Sequence, residues 1–121
     1  MIKYEGKVLS IGPLVADFID AGILVFFGSN APEELLDFSI IHDGKELVQP
    51  VEPGDTVIID GNHFRVLAVG EVANTNLKNL GHLILKFNGK NAAQLPGDVN
   101  VEEKPVPAVE VGTQFSIESM E

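Results

Sequence analysis

The sequence predicts an all-β fold, a compact single-domain β-barrel of short strands with one or two short helices. Runs of β-branched and aromatic residues are short and numerous, turn residues separate them frequently, and few stretches have a helical pattern. The chain has 121 residues, which suffices for one hydrophobic core, so residues 1–121 are treated as one domain. Hydrophobic residues make up 45% of the chain, which excludes a disordered protein.

The first quarter of the chain predicts two strands around an ambiguous stretch. Residues 2–11 alternate loosely and end at Gly12 and Pro13, where proline removes a hydrogen-bond donor. Residues 14–19 fit either a short strand or one helical turn. Residues 22–28 are continuously apolar and β-rich, which is typical of a strand buried on both faces and predicts the centre of the core.

Residues 29–37 predict a short helix, with a capping side chain at Asn30 or nearby and Pro32 in its first turn. This helix leads into a strand over residues 38–42, in which alternation puts Phe38, Ile40 and His42 on one face. Asp43 and Gly44 form a preferred pair for a tight hairpin turn, after which residues 46–48 would pair back. His42 is therefore expected at a strand end that solvent or a partner can reach.

The second half contains the clearest hairpin, in which residues 55–59 and 63–69 flank a turn at residues 60–62. Residues 74–81 begin with a polar cap, carry leucines three apart and end with a glycine, so they predict a short helix. Residues 82–87 alternate and place His82 on the face opposite the inward apolar side chains.

The last predicted strands lie near residues 99–101 and 112–118.

Composition excludes several classes of function. Eight Lys and Arg against 18 Asp and Glu leave a net charge of -10, and the basic residues form no cluster, which argues against nucleic acid as a ligand. The absence of cysteine excludes disulfides and thiolate chemistry. No signal-peptide core is present, and the longest apolar run, residues 21–27, has only a strand's length, so a cytoplasmic protein without membrane insertion is expected.

The reactive candidates are the three histidines, because the usual phosphate-loop, metalloprotease and serine-hydrolase motifs are missing. His42 is either a nucleophile or general base, or a harmless solvated side chain. His63 begins a strand after a turn, where half-exposed histidines are common. His82 follows a helix-ending glycine and precedes a regular strand, which is a rigid mounting for a ring. A zinc site built from all three is not favoured, because no two are close in sequence.

Four segments together give a resemblance to a known family. In the same order and at this chain length, the sequence resembles the glucitol/sorbitol-specific enzyme IIA component of the bacterial phosphoenolpyruvate-dependent sugar phosphotransferase system. The segments are residues 38–42, 63–73, 76–89 and 95–97.

The resemblance implies a compact β-barrel that acts as a phosphotransferase component, with His42 as the phosphorylated nucleophile. It further implies that the histidine-containing phosphocarrier protein donates the phosphoryl group and that the sugar-specific IIB component, working with membrane IIC, receives it. No metal or cofactor is expected, since the group moves between two protein side chains of similar transfer potential. Backbone N–H groups at Asp43 and Gly44 are candidate donors to the phosphoryl oxygens.

A role for His82 as an orienting or phosphoryl-stabilising partner of His42 is a hypothesis that the resemblance does not supply. Two other classes of protein stay open at this point. One is a non-catalytic β-barrel interaction or regulatory module, in which His42 is replaceable. The other is a small metalloenzyme that uses the three histidines, with bound zinc or iron.

Overall fold

The computed structural model describes residues 1–119, in which eight strands close into a barrel, so the predicted all-β barrel is confirmed. Around the barrel the strands follow the order β1, β3, β2, β6, β7, β5, β4 and β8, and β8 pairs back with β1. The pairs β2/β3 and β6/β7 are parallel, and the other neighbours are antiparallel. The strands are β1 (Ile2–Ile11), β2 (Ile23–Gly28), β3 (Ile40–His42), β4 (Thr56–Ile59), β5 (Asn62–Val69), β6 (Leu83–Lys86), β7 (Asp98–Val101) and β8 (Gln114–Glu118).

Within residues 1–119, three short helices lie in the connections between strands. They are α1 (Val15–Asp20), α2 (Ala73–Leu80) and a 3-10 helix at Glu33–Phe38. Within the described part of the chain, no helix is long and apolar enough to cross a membrane. Helix α1 covers most of the ambiguous stretch at residues 14–19, which is therefore helical rather than extended.

The core fills the barrel interior with side chains that alternate along each strand. In β6 the predicted inward residues Leu83 and Leu85 are buried, as is Phe87 just beyond it. In β2 the side chains of Leu24 and Phe26 point into the same core. Burial of this apolar surface is the main favourable term for folding the barrel.

The predicted hairpin between β4 and β5 is confirmed, with Ile59 paired to Asn62. Its two central residues, Asp60 and Gly61, have φ of 45° and 82°. A two-residue turn with both φ values positive matches the right-handed twist of the flanking strands, which explains the preference for Asp and Gly here.

Helix α2 is confirmed at Ala73–Leu80, and Gly81 ends it in the left-handed conformation with φ 63°. The predicted polar cap is wrong, because Val72 occupies the N-cap position without a side-chain cap. Asn74 instead accepts a hydrogen bond from the Val51 N–H at its Oδ1, at 2.7 Å. Its Nδ2 donates to the Val51 carbonyl oxygen at 3.0 Å. The side chain therefore ties the residue 51 loop to the helix.

The segment before β3 differs from its prediction. The helix is of the 3-10 type, and its N-cap residue is Pro32, not Asn30. Pro32 has an extended conformation, with φ -57° and ψ 139°, and no side chain caps the helix. Because Pro32 itself is extended, the helix begins only after it, at Glu33.

The predicted hairpin turn at Asp43 and Gly44 is wrong. Neither residue has a positive φ, and β3 pairs with β1 and β2 rather than with residues 46–48. The chain instead continues along β1, because the Asp43 N–H donates to the Lys7 carbonyl at 3.2 Å and the Val48 N–H to the Lys3 carbonyl at 2.8 Å. The ten-residue β1 extends past β3 and accepts hydrogen bonds from backbone N–H groups at the two ends of residues 43–48.

Candidate active site

His42 is the last residue of β3, and its side chain points into the barrel. The residue is 0% exposed, so the predicted accessible position at a strand end is wrong. The ring makes edge-on contacts with three aromatic rings that surround it. The distances between ring centres are 5.9 Å to Tyr4, 6.2 Å to Phe26 and 5.0 Å to Phe115.

Both ring nitrogens of His42 have backbone partners. Nε2 lies 2.8 Å from the carbonyl oxygen of Gly81, and Nδ1 lies 3.0 Å from the N–H of Gly44. A carbonyl only accepts and an N–H only donates, so these partners assign the proton to Nε2 and the lone pair to Nδ1. The structure therefore defines a single tautomer.

Burial lowers the pKa of His42 below its ordinary value of 6.5, because a charged ring would lose its hydration. The hydrogen bond to the Gly81 carbonyl and the negative charge of Asp43 oppose this shift without overcoming it. The ring is thus neutral at neutral pH, and its unprotonated nitrogen keeps the lone pair that a nucleophile needs.

Two glycines allow backbone to approach the ring closely. A Cβ on Gly81 would stand 2.8 Å from the Gly28 nitrogen and 3.0 Å from Cε1 of His42. A Cβ on Gly44 would stand 2.6–2.8 Å from three atoms of Tyr4, namely Cε2, Cζ and the hydroxyl oxygen. Real Cβ atoms do not pack at such distances, so both positions need glycine for this geometry.

His82 and His42 contact opposite faces of the same strand. His82 stacks on Phe27 at 3.9 Å between ring centres, and its Nδ1 lies 3.1 Å from the carbonyl oxygen of Phe26. His42 contacts the ring of Phe26. Neighbouring residues of a strand point to opposite faces, so the two rings lie on opposite sides of β2. The link between the two histidines is the main chain of Gly81, which directly precedes His82 and whose carbonyl oxygen lies at Nε2 of His42.

His63 is exposed on β5. Strands β3 and β5 are separated by three strands in either direction around the barrel, so His63 lies on the far side from His42. Among residues 1–119, no group of three or more His, Cys, Asp or Glu side chains is placed to hold a metal ion.

Tyr4 was not identified from the sequence as a neighbour of His42. Strand alternation in residues 2–11 places Tyr4, Gly6 and Val8 on one face, and this inward pattern is a signal that could have been used. A glycine within such a face indicates a close backbone approach. In the structure a Cβ on Gly6 would stand 3.0 Å from the Gly44 nitrogen, so residue 44 occupies that space.

Comparison with known proteins gives a consistent result. The sequence model of the family "PTS system glucitol/sorbitol-specific IIA component" matches residues 3–116. Two similar proteins are the glucitol/sorbitol-specific EIIA components of the phosphotransferase systems of Shigella flexneri and Escherichia coli (strain K12). Each is 36% identical over 106 residues, which cover 88% of this chain and 85% of the relative.

The fold is also similar to the crystal structure of a PTS system IIA component from Enterococcus faecalis V583. The TM-score is 0.83 with 22% sequence identity, over 94% of this chain and 98% of the other. At this level of identity the likeness supports the fold. The family match and the 36% identical relatives show that the chain belongs to the family of glucitol/sorbitol-specific IIA components of the sugar phosphotransferase system.

Proposed function

We propose that His42 carries the phosphoryl group in this phosphotransferase component. The histidine-containing phosphocarrier protein donates it, and the sugar-specific IIB component, which works with membrane IIC, accepts it. The observation that supports this role is the neutral, oriented ring, with its proton held by Gly81 and its lone pair on Nδ1. Family membership supports the pathway, and the ring geometry supports the residue.

The lone pair makes Nδ1 the attacking atom. Nδ1 attacks phosphorus as the P–N bond to the donor's phosphohistidine breaks, and the donor imidazole leaves with its own ring proton. The proton on His42 Nε2 stays in place, hydrogen-bonded to the Gly81 carbonyl. One P–N bond replaces another of similar transfer potential, so the transfer is reversible. No proton moves between the proteins, and the step requires mainly positioning.

Residues 43–48 must move outward before a partner can reach Nδ1, because His42 is fully buried. Few bonds hold this segment on β1, chiefly those of Asp43 with Lys7 and of Val48 with Lys3. A groove of about 350 Å³ between the segment and β1 is lined by Tyr4, Asp43 and their neighbours. Once displaced from Nδ1, the Gly44 N–H is placed to donate to a phosphoryl oxygen.

His82 is proposed as an orienting partner that acts through the main chain. Its ring is held by Phe27 and by the Phe26 carbonyl, and Gly81 precedes it directly. A fixed His82 therefore restrains the Gly81 carbonyl that holds His42 Nε2. Because His82 adjoins the residue that holds Nε2 and not Nδ1, the arrangement favours a role of His82 in orienting the His42 ring over direct contact with the phosphoryl group.

Labelling tests the proposed function. The protein is incubated with phosphoenolpyruvate, the general kinase of the system and the phosphocarrier protein, and acid-labile phosphate is measured. Wild type and the exposed-histidine control His63→Gln are expected to label, whereas His42→Gln is expected not to. Equal labelling of His42→Gln would remove His42 from the pathway.

The complete burial of His42, with both ring nitrogens bonded, favours one second candidate. In a non-catalytic interaction or regulatory module the same contacts would serve only to hold β3, α2 and β1 together. That candidate predicts no label on any histidine and a loss of stability as the only effect of His42→Gln.

A further inference from the structure

We propose that the Tyr4 hydroxyl donates a hydrogen bond to the phosphoryl group carried on Nδ1 of His42. The inference rests on the proposed function and adds a second donor beside the Gly44 N–H. Tyr4 lies on β1, 38 residues before His42 in sequence, and is 2% exposed.

The phenol end of Tyr4 lies at the residue that binds Nδ1. The Tyr4 hydroxyl oxygen is 2.8 Å from the place that a Cβ on Gly44 would occupy, and the Gly44 N–H is 3.0 Å from Nδ1. The ring of Tyr4 also stands edge-on to His42, at an angle of 86° between the ring planes. Tyr4 therefore lies beside both the imidazole and the residue that donates to its Nδ1.

The hydroxyl is a neutral donor under physiological conditions. Burial, assisted by the negative charge of Asp43, raises the pKa of Tyr4 to about 12, so the proton stays on oxygen. In the proposed step Tyr4 keeps this proton and only donates a hydrogen bond, while the Nδ1–P bond forms and the P–N bond of the donor breaks. The charge spread over the phosphoryl oxygens is what such donors stabilise.

Neighbouring lysines are less suited to this role. Lys3 points to the other face of β1 by alternation, and its Nζ is bound by Asp55 at 2.8 Å and by the Pro50 carbonyl at 2.9 Å. Lys45 is exposed. Two neutral donors bind the phosphoryl group less tightly than a buried cation would, which keeps the group transferable to the next protein.

The first test is the near-isosteric variant Tyr4→Phe in the full chain. We expect kcat for phosphorylation by the phosphocarrier protein to fall roughly ten- to hundred-fold, as for the loss of a hydrogen bond to a charged group. KM for the carrier is expected to change much less than kcat, because only 2% of Tyr4 is exposed to a partner. An unchanged kcat, or an effect on KM alone, would overturn the inference.

Phe115→Leu is the matched control, because Phe115 also contacts the His42 ring but has no hydroxyl. If both variants lower kcat in proportion to their loss of thermal stability, packing explains the effect and Tyr4 is not a donor. A much larger kcat loss in Tyr4→Phe at smaller stability cost supports the donor.

The second test needs no core substitution, because the chain has one tyrosine and no tryptophan. The tyrosine Raman doublet, whose intensity ratio reports hydrogen bonding of the phenol, is compared before and after phosphorylation of wild type. A change of the intensity ratio towards the value of a strongly donating phenol supports the inference. An unchanged ratio while His42 carries phosphate overturns it. Absence of label on wild type, or label on His42→Gln, would instead overturn the proposed function itself.

Discussion

The carbonyl oxygen of Gly81 lies 2.8 Å from Nε2 of His42 and accepts its proton. Gly81 can do this because it has φ 63° at the end of α2 and no side chain between its backbone and the ring. The end of a helix thereby decides the tautomer of a histidine 39 residues earlier in the chain.

That hydrogen bond predicts the phosphorylated nitrogen. We expect the phosphoprotein to carry its phosphate on Nδ1, because the proton on Nε2 leaves that nitrogen without a lone pair. Long-range hydrogen–nitrogen correlation spectra of histidine-labelled phosphoprotein distinguish the two isomers. A phosphate on Nε2 would contradict this prediction and would require the bond to Gly81 to break first.

Gly81→Ala should lower both stability and transfer. The left-handed backbone costs a non-glycine residue roughly 1–2 kcal/mol, and the new Cβ would overlap the Gly28 nitrogen. Gly22→Ala is the control, since Gly22 has φ 79° but nothing within 4 Å of its Cβ position. Urea unfolding should show a clearly larger loss for Gly81→Ala, and equal losses would mean that the contact with Gly28 and His42 is unimportant.

Gly44→Ala tests the contact with Tyr4. The added methyl would meet the Tyr4 ring at 2.6 Å, so we expect a stability loss of about 1–3 kcal/mol from overpacking and a strong loss of phosphorylation. In Gly97→Ala the nearest atom to the new Cβ would be 3.4 Å away, and this control should behave nearly as wild type. Normal labelling of Gly44→Ala would show that residue 44 need not lie against the ring.

Stability should depend on pH below the ordinary histidine pKa. Burial lowers the pKa of His42 and of His82 from 6.5, so the unfolded chain binds more protons than the folded one as the pH falls below that value. The free energy of unfolding should therefore be flat above about pH 6.5 and fall on acidification through the folded-state pKa values. Urea titrations over that range check the slope, and a gain in stability on mild acidification would contradict the sign.

His82→Ala should slow transfer much more than it lowers stability. The ring is only half-buried, but it positions the main chain next to the Gly81 carbonyl. Single-turnover transfer from the phosphocarrier protein and thermal unfolding are measured on the same preparation. Losses of similar size in both would make His82 a structural residue.

The features that the sequence determined by itself are those whose causes are local. The β4/β5 hairpin follows from Asp60 and Gly61, which adopt the positive φ values that the turn needs. The end of α2 follows from Gly81 in the same way. Alternation in β6 predicts its buried face correctly, because a period of two is a property of the strand alone.

Only the tertiary structure decided the surroundings of His42. The sequence pattern at Asp43 and Gly44 favours a hairpin, but the free length of β1 offers backbone partners to residues 43–48, and that pairing between distant segments outweighs the local preference. The imidazole consequently lies inside the barrel against Tyr4 and Phe115 rather than at an exposed turn. Burial, tautomer and neighbours of this histidine come from contacts between segments far apart in the chain, and no short window of sequence contains them.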